Sequence, residues 1–301
     1  MKPRSLVILT VVLFLAGCGT LETITQIGTT VAVGTGKISP EEAESITKTT
    51  AAAAKAFESI TPEQEYYIGR AVAATILQSY RPYDDKTVNH YLTVLGQALA
   101  LASDRPETFG GYHFLVLDTD EINAFAAPGG LILVTRGLLR CCKYEDAVAA
   151  VLAHEIAHVQ CQHGLKAIKK SRITAAVTVA AAEGAKQLGG QQLAELTKTF
   201  EDAVNDIIAT LVNSGYSRAT EREADREAVK LLKRVGYNPT ALKEMLEEMQ
   251  RRMKPTDGGF AKTHPEPAER IREIEPLLSG AGPVTPSGRR QTRFQRALAG
   301  I

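Results

Sequence analysis

The sequence predicts an α+β fold, mainly helical, in which a small sheet stands beside one central helix. Three observations carry that expectation. The stretch Ala147 to Gly164, AVAAVLAHEIAHVQCQHG, surrounds two histidines four residues apart with Ala, Val, Leu and Ile and has no internal Pro or Gly, so it reads as a helix. Tyr112 to Leu117 (YHFLVL) and Leu131 to Thr135 (LILVT) are short β-rich runs. Elsewhere, helix-start signals followed by apolar residues at helical spacing recur from Ser39 to Leu278.

The first residues stand apart from this globule. Lys2 and Arg4 form a short positive region, and Leu6 to Leu15 is an apolar run too short to span a bilayer. The Leu15-Ala16-Gly17-Cys18 that follows resembles a bacterial lipobox. Residues 1–17 are therefore expected to be a lipoprotein signal peptide, cleaved before Cys18, with the new terminal cysteine acylated and the chain anchored to a membrane without crossing it. Gly19 replaces the Asp that usually retains such proteins in the inner membrane, which favours the outer membrane, facing the periplasm. Removal of residues 1–17 takes Lys2 and Arg4 and no acid, leaving 33 basic against 34 acidic residues. Nothing in this balance suggests a nucleic-acid partner. At 301 residues, 44% hydrophobic and 23% charged, the chain has ample material for a core.

Residues 18–60 are expected to hold a lipid tether and one helix. Thr20 to Lys37 is rich in Thr and Gly and lacks a period. Ser39-Pro40-Glu41-Glu42 then offers a cap, a first-turn proline and a capping-box glutamate. Thr61-Pro62-Glu63-Gln64 repeats the device and opens a helix to about Ser79, with Ile68, Val72 and Ile76 on one face. A third helix, about Asp85 to Ala102, carries Val88, Leu92, Leu95 and Leu99. The two strands flank Asp118 to Gly130, read as a loop in which Asn123-Ala124-Phe125-Ala126 precedes the turn signal Pro128-Gly129-Gly130. Ahead of the central helix they place the sheet beside it. Asn123, Ala124 and Phe125 are the expected substrate-binding residues, at a sheet edge where an extended peptide adds as a strand.

The domain is expected over residues 61–280, with 164–216 as a helical insertion. Gly164 reads as a helix terminator, and Ile173 to Ala182 is apolar but too short to cross a membrane. Leu193, Leu196, Phe200, Val204, Ile207, Ile208 and Leu211 keep a helical period, predicting a helical pair. Ser217 to Arg234 is the next helix. Asn238-Pro239 opens another whose stripe of Leu242, Met245, Leu246, Met249 and Met253 reads as core. A last helix follows Thr263-His264-Pro265 with Arg270, Ile271, Ile274 and Leu278. Residues 281–301, with Arg289, Arg290, Arg293 and Arg296 and no acid, read as a basic, disordered tail. With Cys18 lipidated, Cys141, Cys142 and Cys161 remain. At 1.5 Å per residue Cys161 lies about 24 Å along the central helix from Glu145, so free thiols are expected.

The chemistry begins at His154, Glu155 and His158. Residues four apart lie nearly above one another on a helix, so the two imidazoles meet at one point with Glu155 beside them, the HExxH arrangement of zinc hydrolases. A buried helix whose histidines are ordinary core residues fits the same letters. A catalytic site needs a third ligand and an open position, and Glu221, Glu223 and Asp225 are candidates. Glu221 and Asp225 share a face, so one can bind metal while the other hydrogen-bonds a ligand histidine. Nine residues from His154, His163 is expected on the far side of the helix and outside the site.

Asn123-Ala-Phe-Ala…Pro-Gly-Gly, His154-Glu-Ile-Ala-His158, Ser217-Arg-Ala-Thr-Glu221-Arg-Glu-Ala-Asp225 and Thr263-His264-Pro265 together resemble the zinc metallopeptidase family that includes HtpX, Oma and the CAAX prenyl endopeptidases, peptidase family M48. The similarity covers about Thr61 to Leu278. The lipobox resembles the periplasmic group of that family represented by LoiP and BepA. The resemblance implies a zincin-like domain with one Zn2+ per chain, held by His154, His158 and Glu221, and with Asp225 bonded to a ligand histidine. It also implies that Glu155 is the general base in peptide hydrolysis, with His264 or Arg270 as a transition-state donor. His264 alternatively fills the fourth zinc position or caps the last helix. The chain stops soon after the final helix, so no tetratricopeptide array is expected. The substrates implied are unfolded or misassembled cell-envelope proteins. A chaperone-like envelope factor with latched or structural zinc is the competing function, and oligomeric state is left open.

Overall fold

The computed structural model describes residues 29–30, 32–36, 39–44, 46–47, 60–168, 202, 204–252, 264, 266–286 and 288–301. The chain divides into two units, Met1–Ile60 with Ile168–Thr197, and Thr61–Ala167 with Lys198–Ile301. In the first unit the expected capping box is present: the Glu42 N–H donates to Ser39 Oγ at 3.1 Å and the Ser39 N–H to Glu42 Oε2 at 2.8 Å. The signal peptide, Cys18, the apolar run Ile173 to Ala182, and Leu193, Leu196 and Phe200 lie outside the described residues.

The main elements of the second unit are, in order, α1 (Pro62–Ser79), α2 (Lys86–Leu101), β1 (His113–Leu117), β2 (Ala124–Ala127), β3 (Leu131–Thr135), α3 (Glu145–Gln160), α4 (Arg218–Arg234), α5 (Thr240–Arg252), α6 (Pro267–Ile274) and α7 (Gly288–Ala297). Thr61 caps α1 through a complete capping box, and the Asp85 carboxylate caps α2 by accepting from the N–H groups of Thr87 and Val88. The predicted faces are the buried ones: Ile68, Val72 and Ile76 on α1, Val88, Leu92, Leu95 and Leu99 on α2, and Leu242, Met245, Leu246 and Met249 on α5. Met253 lies outside the described residues. Cys141, Cys142 and Cys161 are free thiols. No helix among the described residues is long and apolar enough to cross a membrane.

The sheet differs from the expected pair of strands around a loop. β1 and β3 are parallel, His113 opposite Leu131, and β2 pairs antiparallel to β3, giving the order β1-β3-β2. Asn123 to Ala126 therefore leads into and forms part of a strand. An Ala-rich tetrapeptide with one Phe lacks the β-branched composition that marks a strand locally, and it becomes one because β3 supplies its hydrogen bonds. Thr135 fastens the arrangement: its hydroxyl lies 2.6 and 2.8 Å from the carbonyl oxygens of Glu121 and Asn123 and accepts from the Asn123 N–H at 3.0 Å. At the other end of β2, Gly129 and Gly130 take φ of 76° and 96°, a turn that suits glycine. The Gly129 N–H donates to the buried Glu65 carboxylate, itself gripped by Arg105 at 2.5 Å.

α3 is covered on every side, with Glu145 through Val159 all buried, which explains why its sequence shows no polar stripe. It packs against α2, α4, α5 and β2. Residues 281–301 are not a disordered tail. α7 buries Phe294 and Ala297, the Arg293 guanidinium pairs with the fully buried Glu145 at the start of α3, and the Arg140 Nε–H donates to the Ile301 carbonyl at 2.7 Å. A run of arginines without acids reads as solvated in isolation. Here two of its guanidiniums are needed across the fold, because Arg290 also approaches Asp146 at 3.4 Å.

Candidate metal centre

Three elements converge on one buried point. α3 supplies His154, Glu155 and His158, α4 supplies Glu221 and Asp225, and His264 comes from the segment before α6. α3 is buried among apolar neighbours, while Ser217 caps α4 by accepting from the Thr220 N–H, which fixes where Glu221 enters. All of these side chains are buried.

His154 Nε2 and His158 Nε2 are 3.1 Å apart, and Glu221 spans them, with Oε2 3.4 Å from the first and Oε1 3.4 Å from the second. His264 Nδ1 lies 2.8 Å from Glu221 Oε2. One ligand atom from each of His154, His158, Glu221 and His264 falls within 4.8 Å of all the others. Buried Glu221 Oε1 takes no hydrogen bond from any described residue. An acceptor-only oxygen left without a donor, facing imidazole nitrogens that converge on one another, is a donor set that fits a divalent cation of the zinc type.

Asp225 stands behind His154, its Oδ1 3.0 Å from Nδ1, and accepts a forked pair from Arg270 at 2.9 and 2.6 Å. A carboxylate at Nδ1 keeps a proton there, so Nε2 is the nitrogen from which a metal would displace a proton on binding. Burial alone would raise the Asp225 pKa, but Arg270 and His154 hold it down at about 2. Burial works against a charged His154, yet its bonds to Asp225 and Glu221 lift it to about 9, whereas burial pushes His158 down to about 3. Glu221 is held well below the ordinary carboxylate range despite its burial, chiefly by the imidazoles of His264, His158 and His154 packed around it. Burial raises the Glu155 carboxyl, the direction that suits a proton acceptor and donor near neutral pH.

Comparison with known proteins agrees with this geometry. A model described as peptidase family M48 matches residues 86–277, a segment that includes the whole ligand cluster. The chain belongs to peptidase family M48. Among curated relatives, it is 28% identical over 244 residues to the beta-barrel assembly-enhancing protease of Escherichia coli (strain K12), covering 79% of this chain and 48% of that protein. It is 31% identical over 170 residues to metalloprotease LoiP of the same organism, covering 56% of this chain and 64% of LoiP. It is 35% identical over 169 residues to the mitochondrial metalloendopeptidase OMA1 of Schizosaccharomyces pombe, covering 53% and 44%. The chain thus spans about half the length of the first of these relatives.

Within this M48 domain the structure brings together His154, Glu155, His158, Glu221, Asp225, His264 and Arg270. Two placements bear on the sequence reading. Arg270, expected as a transition-state donor, has two of its guanidinium nitrogens bonded to Asp225, and its Nη1 lies 3.8 Å from Glu221 Oε2. Asn123, Ala124 and Phe125, expected to bind substrate, are 1–2% exposed on or beside the edge strand β2.

His163 is also placed differently from the expectation. α3 ends at Gln160, Gln162 takes a positive φ of 55°, and His163 opens a new helical segment with Gly164 inside it. The break cancels the continuous-helix rotation. His163 Nδ1 lies 2.9 Å from His158 Nδ1, although His163 is not one of the four clustered residues. Sequence reasoning also missed Tyr216, whose ring stacks on His158 with centroids 4.5 Å apart and whose buried hydroxyl has no hydrogen-bond partner among the described residues. No pattern in the sequence marks it.

Proposed function

We propose that the chain is a zinc-dependent metalloendopeptidase of the bacterial cell envelope. The convergence of His154, His158, Glu221 and His264 on a point beside buried Glu155 carries this reading. His154, His158 and Glu221 would hold the zinc, with His264 or water in the remaining position. Zinc, when bound, supplies a Lewis acid that makes water a nucleophile near neutral pH. Glu155 takes the proton of the attacking water and returns it to the leaving amine, and its raised pKa suits both transfers. Asp225, backed by Arg270, holds His154 in the ligating tautomer. His264, 2.8 Å from Glu221 when it does not occupy the metal, or Arg270 beside His154 is the donor proposed for the transition state.

The substrates proposed are unfolded or misassembled envelope proteins, and similarity to a beta-barrel assembly-enhancing protease supports a role beside protein assembly. The lipobox at Leu15-Ala16-Gly17-Cys18 supports acylation of Cys18 and attachment to the outer membrane, facing the periplasm. The domain limits proposed are residues 1–17 for the signal peptide, 18–60 for the tether and helix, and 61–280 for the peptidase with 164–216 inserted, to which the docked residues 281–301 are added. The 2.8 Å contact between His264 and Glu221 favours a second reading, a chaperone-like factor whose metal is latched and whose proteolysis is slight.

Glu155→Gln tests the first reading against the second. The variant should keep stoichiometric zinc by elemental analysis while cleavage of an unfolded model protein falls by about 10²–10⁴-fold. Equal cleavage by variant and wild type with zinc retained excludes the hydrolase. Intact metal with negligible cleavage by the wild type supports the latched factor.

A further inference from the structure

We infer that His163 and Glu223 form a relay that fixes the tautomer of His158 and so turns its Nε2 lone pair towards the metal. The inference rests on the metallopeptidase reading above. His158 faces two ways: Nε2 looks to His154 Nε2 and Glu221 Oε1, and Nδ1 looks to His163 Nδ1 at 2.9 Å. A neutral imidazole carries one proton, so ligation through Nε2 requires that proton on Nδ1. The Nδ1–H then needs an acceptor, and His163 Nδ1 is in place to be one. His163 can accept there only if its own proton sits on Nε2. At that end Glu223 Oε2 waits 3.3 Å away, a carboxylate that accepts and never donates when ionised. Each proton position thus implies the next, from Glu223 through His163 to His158.

The geometry explains why His158 needs an intermediary and His154 does not. Both histidines look to α4 for their carboxylate. Asp225 shares the buried face of α4 with Glu221 and reaches His154 directly. Glu223, two residues from each, emerges on another face and is 40% exposed. His163, buried and set by the break at Gln162, bridges the difference. Three residues of one helix, Glu221, Glu223 and Asp225, would then serve the metal: the first by binding it and the other two by orienting its histidines.

Zn2+ affinity, measured by competition with a chromogenic chelator, tests the relay in folded full-length protein. His163→Leu removes the acceptor and should weaken Zn2+ binding by about 10–100-fold, while His163→Asn, whose amide oxygen can replace Nδ1, should keep most of it. Histidine ¹⁵N spectra of the zinc-loaded wild type should show His158 protonated at Nδ1 and His163 at Nε2. No loss in the Leu variant, equal loss in both variants, or a His163 proton on Nδ1 in the wild type overturns the relay. A wild type that binds no Zn2+ overturns the metallopeptidase reading and the relay with it, whereas a zinc-binding wild type matched by His163→Leu overturns the relay alone.

Discussion

Arg270 and Asp225 show what a single buried residue does in this molecule. Both are almost wholly buried, 45 residues apart in sequence, and joined by two charged hydrogen bonds. Removing one partner of such a pair strands a charge in a low-dielectric interior. Arg270→Met should therefore destabilise the fold by about 3–5 kcal/mol, measured by urea unfolding, while the double variant Arg270→Met/Asp225→Asn loses less than the two single changes together. Additive losses would mean that the two side chains act independently. The site was partly legible at this scale. The spacing of His154 and His158 is a helical property, and Glu221 with Asp225 is another. The partnership of His158 with His163 was not legible, because it depends on a break at Gln162 where a non-glycine residue takes a positive φ.

Helices and strands here meet at closer range than their sequences announce. A Cβ built on Gly69 of α1 falls 1.8 Å from the Pro128 carbonyl oxygen, so backbone must move to admit it. Gly69→Ala is expected to cost at least about 1–3 kcal/mol, whereas Gly282→Ala, with nothing within 4 Å of its Cβ, should leave the urea midpoint unchanged. If Gly69→Ala is silent, α1 does not press on the turn that ends β2. On α5, Glu248 meets Lys143, Arg251 and Arg252 at 2.6 to 2.8 Å, and bonds from Lys143 and Arg252 lower its pKa to about 2 from an ordinary value of 4.5. A depressed carboxyl stabilises the folded state above its unfolded pKa, and that contribution is lost as pH falls through the folded value. After discount for solvent around the three cations, about 1 kcal/mol should disappear between pH 4.5 and about 2. Glu248→Gln should flatten the stability profile in that window. An unchanged slope would remove Glu248 from the acid response. The helices were legible in order because caps and apolar periods are local signals. β2 was not, since four residues of Ala and Phe acquire strand geometry from β3.

For the second unit as a whole, the C-terminal residues are structural. Glu145 is fully buried at the start of α3 and is met by Arg293, by Tyr237 at 2.7 Å and by Tyr91 at 3.4 Å. Arg293→Ala should lower stability by about 1–3 kcal/mol, by thermal melting, because a buried carboxylate loses its cation. A variant that melts with the wild type would return residues 281–301 to the status of a loose tail. The consequence reaches the site, since the helix that begins at Glu145 is the one that presents His154, Glu155 and His158.

The sequence by itself carried the mainly helical α+β class, the family resemblance that singles out Glu221 and Asp225, and the trio His154, Glu155 and His158, because helical period, capping and short motif spacing act within a few residues. Tertiary structure decided the parallel pairing of β1 with β3, the burial of Asn123 to Phe125, the docking of α7 onto α3, and the roles open to Arg270 and His163. Each of those depends on which distant groups satisfy a buried hydrogen-bonding atom or charge, and chain neighbours do not carry that information.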